Sequence, residues 1–445
     1  MTDLTFASLG VPAPLVAALA ATGKTEPFPI QADTLPDTLA GRDVLGRGKT
    51  GSGKTIAFAL PLAARLSDNR STTSRARSPR GLVLAPTREL ASQIEATLAP
   101  LARAVGLTTT TIFGGVSQNR QVAAIRAGVD VLIACPGRLE DLMNQGLLSL
   151  EHISITVLDE ADHMADMGFL PTVTRIMSRT PESGQRLLFS ATLDNGVDKL
   201  VKRFLHNPVV HSVDEATSPV AAMTHHVFEV ADADEKKLLV HALASGMGKR
   251  ILFTRTKHQA KRLATQLTSS GIPAVDLHGN LSQNARDRNL AAFSDGTVRV
   301  LVATDVAARG VHVDEVDLVV HVDPPAEHKA YLHRSGRTAR AGSRGDVATV
   351  TLPEQAADVK ALLRHAALSV VPQRVTATSP AVTELVGEVA PRVAPAPPAV
   401  QPRTGKRPQA RGGQGESTTV RSRANAERSR RSSHSRSSSH SARRG

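Results

Sequence analysis

A glycine-rich stretch at residues 46–55, GRGKTGSGKT, constrains the fold of this chain more than any other segment. Four residues separate Gly48 from Gly53, which is followed directly by Lys54 and Thr55, and this spacing is the pattern of a phosphate-binding loop. Glycines allow a tight turn whose backbone N–H groups face one polyphosphate, and the following helix adds the positive end of its dipole. The stretch therefore predicts a strand–loop–helix unit that binds a nucleoside triphosphate.

The chemistry of this loop assigns separate roles to its side chains. Lys54 is predicted to reach the β- and γ-phosphates of the nucleotide, and the Thr55 hydroxyl is predicted to ligate Mg²⁺. The flanks agree, because residues 43–45 resemble a short strand and residues 56–66 an apolar helix; a glycine-rich turn with an incidental lysine would need neither. The predicted nucleotide-binding residues of the loop are Thr50, Gly51, Ser52, Gly53, Lys54 and Thr55.

The length of 445 residues is enough for two or three domains. The single cysteine, Cys135, excludes disulfides within the chain and metal clusters built on cysteine, which suits a reducing compartment. Packing in a core explains this residue better than a redox role. The first residues do not resemble a signal peptide, and no stretch approaches about 18 uninterrupted apolar residues. We therefore expect a soluble cytoplasmic protein with no membrane partner.

The charge of the chain is unevenly distributed. The formal net charge is +13, and residues 403–445 alone contain 12 Arg or Lys against two Glu. A strongly basic segment on a nearly neutral body indicates an anionic polymer as partner. Because aromatic residues make up only 2% of the chain, contacts with the backbone of that polymer are expected rather than extensive base stacking.

Apolar, β-branched runs alternate with helical patterns through the first half of the chain. Such runs are typical of buried parallel strands, and the alternation is typical of a doubly wound α/β domain. The predicted strands are residues 81–84, 129–134, 155–158 and 186–189, and the predicted helices include residues 89–104 and 122–127.

The same alternation begins again after Pro219, which predicts a second α/β domain. Two such domains on a short linker form a cleft. The polar stretch at residues 213–219 is the predicted hinge. The predicted strands of this domain are residues 251–253, 274–277, 298–303, 318–322 and 347–352, and its predicted helices include residues 260–267 and 330–334.

These patterns predict a first domain at residues 1–213, a linker at 214–219, a second domain at 220–372 and a tail at 373–445. The regular pattern fades from about Thr376, and residues 391–402 have the Pro-rich composition of an extended spacer. Gly, Arg and Ser dominate beyond it, so we expect a disordered tail. A basic, Ser-rich patch at residues 68–80 is a predicted mobile loop.

Residues 27–31, PFPIQ, predict the start of a helix, because proline has the φ angle of a first helical turn. The amide of Gln31 presents a donor and an acceptor that match an adenine edge. Taken alone, an ordinary helix N-terminus explains this residue better.

Four residues with three carboxylates, Asp159-Glu160-Ala161-Asp162, directly follow the predicted strand 155–158. Ligands of open α/β sheets bind at the carboxyl ends of their strands. Asp159 is predicted to hold Mg²⁺, usually through water, and Glu160 to act as the base that orients the attacking water. A merely solvated acidic loop is a poor alternative when a phosphate-binding loop lies upstream in the same domain.

These motifs, with Ser190-Ala191-Thr192 and residues 333–340, HRSGRTAR, resemble the DEAD-box family of RNA helicases. The resemblance covers roughly residues 1–370 and follows the family's order of about ten motifs. It implies two tandem RecA-like domains of doubly wound parallel sheet, with ATP and Mg²⁺ as cofactors and RNA as partner.

The resemblance also implies roles for individual residues. Besides the loop, the nucleotide site would contain Phe6, Gln31, Asp159, Gly310 and His312, with Thr55 and Asp159 at the metal. The catalytic residues would be Lys54, Glu160, Arg337 and Arg340, of which the arginines reach the γ-phosphate from the second domain. The residues that couple ATP to unwinding would be Asp162, Ser190, Thr192, Asp305 and His333. The residues that contact RNA would be Pro86, Thr87, Arg88, Gly115, Pro136, Gly137, Arg138, Gln283, Arg286 and Thr304.

The chain departs from the family pattern at four positions. Lys24 follows Gly23 where the family usually has an aromatic residue that stacks on adenine, and His312 stands where a carboxylate usually contacts the ribose. We hypothesise that these two changes relax nucleotide discrimination. Cys135 in place of Thr and Ala339 in place of Gly remove no charge and are expected to have small effects.

The implied function is RNA-stimulated ATP hydrolysis coupled to local, non-processive unwinding or remodelling of RNA, largely through contacts that do not read sequence. The basic tail is expected to tether RNA. Its pattern predicts no folded RNA-recognition module, which with the compact architecture and the Ala/Arg-rich composition favours a short-tailed bacterial, RhlE-like type, whereas its Ser/Arg repeats also resemble eukaryotic splicing-factor tails. The expected protein partners are those of ribosome assembly or RNA decay. Two alternatives stay open. One is a nucleotide-gated RNA clamp with slow hydrolysis, against which Lys54, Glu160, Arg337 and Arg340 argue. The other is a DNA translocase on the same architecture.

Overall fold

The computed structural model describes residues 4–48, 51–68, 78–193, 195–213, 223–308, 313, 315–339 and 345–394. These residues form two parallel seven-stranded sheets with helices on both faces. This confirms the predicted pair of doubly wound α/β domains. Among the described residues, no helix combines the length and apolar character needed to cross a bilayer.

The first domain has the strand order β3-β4-β2-β5-β6-β1-β7. Its strands are β1 Val44–Arg47, β2 Gly81–Leu84, β3 Thr109–Ile112, β4 Val131–Ala134, β5 Ile155–Leu158, β6 Gln185–Ser190 and β7 Val209–Ser212. Its helices are α1 Ala13–Ala20, α2 Pro29–Leu39, α3 Lys54–Asp68, α4 Arg88–Ala104, α5 Gln118–Ala127, α6 Pro136–Asn144, α7 Ala161–Asp166, α8 Leu170–Met177 and α9 Asn195–Phe204.

The second domain has the strand order β10-β11-β9-β12-β13-β8-β14, which repeats the order of the first when its strands are counted from β8. Its strands are β8 Met223–Glu229, β9 Lys249–Phe253, β10 Ala274–Leu277, β11 Val300–Ala303, β12 Val316–His321, β13 Gly345–Thr351 and β14 Gln373–Arg374. Its helices are α10 Ala233–Ala244, α11 Lys257–Ser269, α12 Gln283–Ser294, α13 Asp305–Ala308, α14 His328–Ser335, α15 Ala356–His365 and α16 Pro380–Val386, with a 3₁₀ turn at Pro353–Gln355.

The central strands are apolar on both faces because helices cover both faces of each sheet. In β2, Val83 belongs to one core cluster, whereas Leu82 and Leu84 belong to the cluster on the opposite face. Strand β9 divides in the same way, with Leu252 in one cluster and Ile251 in the other. Since all the pairings are parallel, the strands β1, β2, β5 and β6 end at one edge of the first sheet. The loops that carry the predicted motifs begin there.

The predicted end of the second domain at residue 372 is wrong. Strand β14 pairs with β8, and helix α16 buries Val382 and Val386 in the core of this domain. The Arg250 guanidinium also donates a 2.8 Å hydrogen bond to the Val386 carbonyl. These two valines lie four residues apart on one helical face, so burial of that face against α10 orders a segment too short to be recognised from its pattern.

Several predicted features lie outside the described residues: the linker at 214–219, most of the loop at 68–80 and the tail beyond residue 394.

Candidate active site

The phosphate-binding loop lies between the end of β1 and the start of α3. Gly53 has a φ angle of +88°, and a Cβ atom placed on it would clash with the Gln31 amide nitrogen, so only glycine fits this position. The Lys54 side chain is 7% exposed and donates a 2.5 Å hydrogen bond to the Gly48 carbonyl across the loop. The Gly48 N–H donates in turn to the Ser190 carbonyl of β6. These contacts hold Gly48 and Lys54, at the two ends of the loop, against each other and against β6.

Gln31 joins the first turn of α2 to this loop. Its amide oxygen accepts a 2.9 Å hydrogen bond from the Phe28 N–H, and its amide nitrogen donates a 2.9 Å hydrogen bond to the Gly53 carbonyl. Only 1% of the residue is exposed. Direct contact with adenine would therefore have to replace or share hydrogen bonds that the amide makes to protein backbone.

Phe6 does not lie where the sequence prediction put it. The residue is 2% exposed and packs in the first domain's core with Leu15 and Ile30. Its ring supports the helices beside the nucleotide site instead of presenting a face to a ligand.

Asp159 and Glu160 follow β5 directly, at the same edge of the sheet as the loop. Burial raises the pKa of Asp159 to about 7; the charge of Lys54 acts against this shift, and Glu160 and Asp162 add to it. Burial destabilises the ionised form of this carboxylate, and a bound cation would stabilise it. Among the described residues no group of three or more His, Cys, Asp or Glu could enclose a metal.

Glu160 is held in an unusual backbone conformation beside a histidine. Its φ angle is +49°, and its carboxylate accepts or shares a 3.1 Å hydrogen bond with Nδ1 of His163. Burial opposes ionisation of Glu160, but the hydrogen bond and charge of His163, with the charges of Arg337 and Lys54, hold its pKa well below the usual range. Glu160 is therefore ionised, as a base must be. Arg337, whose charge contributes to this shift, belongs to the second domain.

Asp162 links this motif to the end of β6. Its carboxylate accepts hydrogen bonds from the backbone N–H and the hydroxyl of Thr192, at 3.0 and 3.1 Å. The Asp162 N–H donates to the Ser190 hydroxyl, which itself donates to the Thr192 carbonyl. Three of the five residues predicted to couple ATP to unwinding, Asp162, Ser190 and Thr192, thus form one hydrogen-bonded unit.

The two domains are joined by side chains at the start of α4 and of α12. Nε of Arg286 lies 2.6 Å from the Glu89 carboxylate, and the Arg286 guanidinium also donates to the carbonyls of His278 and Ala307. The Gln283 amide oxygen accepts a 3.1 Å hydrogen bond from Arg88. The sequence analysis assigned Gln283 and Arg286 to RNA. In the structure their polar groups make contacts both between the domains and within the second domain, and their contact with RNA stays a prediction.

In the second domain, Asp305 and Arg334 form an ion pair. The Arg334 guanidinium also lies 5.2 Å from the Phe253 ring centroid and donates to the Asp323 carbonyl. These contacts fix α14 against α13, and α14 carries His333 and leads to Arg337. Asp305 is thereby used to position the arginine-bearing segment.

The remaining predicted RNA contacts lie at the strand ends of the two sheets. Thr87 caps α4, since its hydroxyl accepts a hydrogen bond from the Leu90 N–H. A Cβ atom on Gly115, whose φ is +77°, would clash with the Arg88 guanidinium, so glycine is needed for that arginine to pass. Pro136, Gly137 and Arg138 form the first turn of α6, and Thr304 follows β11.

Cys135 packs against the first domain's core, and burial raises the pKa of its thiol to about 12. This agrees with a packing role. The predicted site residues Thr50, Gly310, His312 and Arg340 lie outside the described residues.

Four functional contacts were missed from the sequence: those of Glu89, His163, Arg334 and Phe28. Glu89 and Arg334 stand inside motifs that were recognised, next to residues that were given roles. His163 follows the acidic motif directly, and an ionisable residue three positions after a predicted base was an available signal.

Comparison with known proteins places these features in a family. A model described as DEAD/DEAH box helicase matches residues 28–200, and one described as helicase conserved C-terminal domain matches residues 234–342. The chain is 43% identical over 343 residues to "DEAD-box ATP-dependent RNA helicase 3A, chloroplastic" of Zea mays, with 76% of this chain and 46% of the relative covered. It is 41% identical over 351 residues to "ATP-dependent RNA helicase RhlB" of Xanthomonas campestris pv. campestris, with coverage of 78% and 61%.

The chain therefore spans about half the length of the curated relatives it matches. Among solved structures, S. cerevisiae Dbp5 bound to RNA and ADP BeF3 is similar with a TM-score of 0.72 and 28% identity, over 86% of this chain and all of that one. Mss116p bound to ssRNA and AMP-PNP is similar with a TM-score of 0.73 and 26% identity, over 87% and 83%. The RhlE-like subtype stays a prediction.

Because the two family models together span more than half of the chain and fall on the two domains that contain the phosphate loop and the arginine segment, the chain belongs to the DEAD/DEAH box helicase family.

Proposed function

We propose that this protein is an ATP-dependent RNA helicase, an RNA-stimulated ATPase that unwinds or remodels short stretches of RNA. The observation that carries the proposal is the contact between the two domains: Nε of Arg286 lies 2.6 Å from the Glu89 carboxylate. The cleft between them can therefore combine a base from one domain, Glu160, with an arginine from the other, Arg337. Such a site is complete only when the cleft is closed. ATP that touches both domains then stabilises the closed form.

The side chains divide the reaction between them. Lys54 releases the Gly48 carbonyl to bind the β- and γ-phosphates, and Glu160, oriented by His163, accepts a proton from the attacking water. Arg337 stabilises the negative charge that develops on the transferred phosphoryl group. Asp159 and Thr55 would hold Mg²⁺, which supplies charge neutralisation at the phosphates.

RNA binding is coupled to ATP hydrolysis through the same closure of the cleft between the domains. Asp162, Ser190 and Thr192 connect the base to the end of β6, and the contacts of Glu89 and Arg286 connect the two RNA-facing strand ends. RNA that binds both domains would favour the closed form and hence hydrolysis, which is the reciprocity that linkage requires. The solved relatives Dbp5 and Mss116p, bound to RNA and nucleotide analogues, support RNA as the ligand. We further propose action in the cytoplasm.

The decisive test is ATPase activity of the full chain without nucleic acid, with single-stranded RNA and with single-stranded DNA. We expect stimulation by RNA alone and loss of turnover in Glu160→Gln. Equal stimulation by DNA would favour the translocase. ATP-dependent RNA binding with almost no turnover in the native chain would favour the clamp.

Nucleotide discrimination is proposed to be relaxed, since Lys24 and His312 replace residues that usually contact the base and ribose. Comparison of ATP, GTP and dATP turnover tests this point, and strict preference for ATP would contradict it.

A further inference from the structure

We propose that Phe28 provides the surface on which the nucleotide base stacks in this protein. The proposal rests on the proposed nucleotide site and adds a residue that determines how the base is held. All ten phenylalanines and the one tyrosine lie in the described part of the chain. Of these eleven aromatic side chains Phe28 alone is exposed, with 54% of its surface accessible. The other ten are buried or half-buried, so Phe28 is the aromatic side chain most open to a ligand.

The ring lies directly on the phosphate-binding loop. A Cβ atom placed on Gly53 would come within 2.5 Å of Cδ2 of Phe28, so the ring rests against the backbone of the loop one residue before Lys54. Phe28 is also the N-cap of α2, with φ −68° and ψ 158°, and its N–H is bound to the Gln31 amide oxygen. This backbone contact and the following Pro29 hold the backbone from which the ring projects, and the contact with Gly53 places the ring itself. A nucleotide whose phosphates occupy the loop therefore places its base within reach of an ordered aromatic face.

The two neighbouring side chains, Lys24 and Gln31, are not placed to stack on the base. Lys24 has no π-face and its ammonium donates to the Thr22 hydroxyl at 3.4 Å on the exposed surface. Gln31 is buried and bonded to Gly53 and Phe28. Stacking on an aromatic ring accepts any base, because every base has a π-face. Binding through Phe28 therefore predicts affinity for the base without strong choice among bases.

The test measures nucleotide binding to the full chain by calorimetry in the absence of RNA, with MgATP, MgGTP and magnesium tripolyphosphate as ligands. Tripolyphosphate occupies the loop but has no base. The variants are Phe28→Ala, Phe28→Trp and Lys24→Ala. Loss of one stacked base costs about fivefold to a hundredfold in affinity. We expect Phe28→Ala to weaken ATP and GTP about tenfold or more while tripolyphosphate changes less than twofold.

The other variants separate stacking from support of the loop. Phe28→Trp should bind ATP at least as tightly as the native chain, and Lys24→Ala should bind nearly normally. Equal weakening of ATP and tripolyphosphate in Phe28→Ala would overturn the proposal, as would unchanged ATP affinity or a larger loss in Lys24→Ala. Because no RNA is present, a failure of RNA stimulation in the ATPase assay would leave this result intact.

Discussion

Nε of Arg286 in the second domain lies 2.6 Å from the Glu89 carboxylate of the first, and the two residues are only 8% and 9% exposed. The guanidinium and the carboxylate are buried from water only when the two domains are in contact. In that state each charge neutralises the other. Removal of one member of a buried pair leaves an uncompensated charge and costs about 3–5 kcal/mol. The pair is therefore a condition for closure.

Arg286→Ala should weaken closure and lower RNA-stimulated kcat/KM for ATP by about a hundredfold, since the unpaired Glu89 carboxylate favours the open form. Fluorescence transfer between labels on the two domains, with RNA and a non-hydrolysable ATP analogue, measures closure directly. Arg288→Ala is the matched control, because Arg288 is exposed on the same helix. A normal closed fraction in Arg286→Ala would contradict the role assigned to the pair.

His163→Ala should lower kcat about tenfold to a hundredfold, the loss typical of a side chain that orients a functional group, with little change in KM for ATP. The reason is that Nδ1 of His163 holds one oxygen of the Glu160 carboxylate at 3.1 Å. His163→Gln keeps a hydrogen-bonding group and should retain more activity, and His152→Ala removes an exposed histidine of the same domain as a control. Parallel loss of kcat and ATP binding would point to a merely structural role.

The sequence predicted those features that depend on neighbours along the chain. Strands β2, β5 and β10 have the predicted bounds; β2 and β5 are short runs buried throughout, whereas β10 is a half-buried edge strand. Gly53 lies between β1 and α3, and Glu160 directly follows β5, as the motifs indicated. Contacts between distant segments could not be predicted: nothing in the sequence shows that Arg286 meets Glu89 about 200 residues away, since that depends on how the domains close. Helix α16 was not predicted, because its apolar pattern is short and the helix is stabilised by packing on α10.

Acid should destabilise the second domain through two histidines, His321, which is buried, and His225, which is half-buried. Burial, with a contribution from His226, lowers the pKa of His225 to about 4, and burial with the charges of Arg334 and His225 lowers the pKa of His321 well below 6.5. The unfolded chain therefore binds more protons than the native one below pH 6.5. The contribution of the two neutral histidines to the free energy of unfolding is fully present above pH 6.5 and is lost as the pH falls toward 4.

Urea unfolding of the native chain at pH 7 and pH 5 measures this loss. His321→Gln should show a smaller loss between the two values, whereas His258→Gln, at an exposed position of the same domain, should lose as much as the native chain. Equal losses in all three would show that other groups cause the acid sensitivity.

Deletion of residues 403–445 should weaken RNA binding most at low salt and leave ATPase turnover at saturating RNA nearly unchanged. This segment contains 12 Arg or Lys against two Glu, and cations on a tether bind phosphates without sequence preference while raising the local RNA concentration at the core. Because each neutralised phosphate releases counterions, the deletion should also flatten the dependence of RNA affinity on salt. Fluorescence anisotropy with one single-stranded RNA at several salt concentrations measures both effects. Substitution of the tail arginines by glutamine, which keeps the length, should reproduce the deletion; unchanged affinity at low salt would remove the tail from RNA binding.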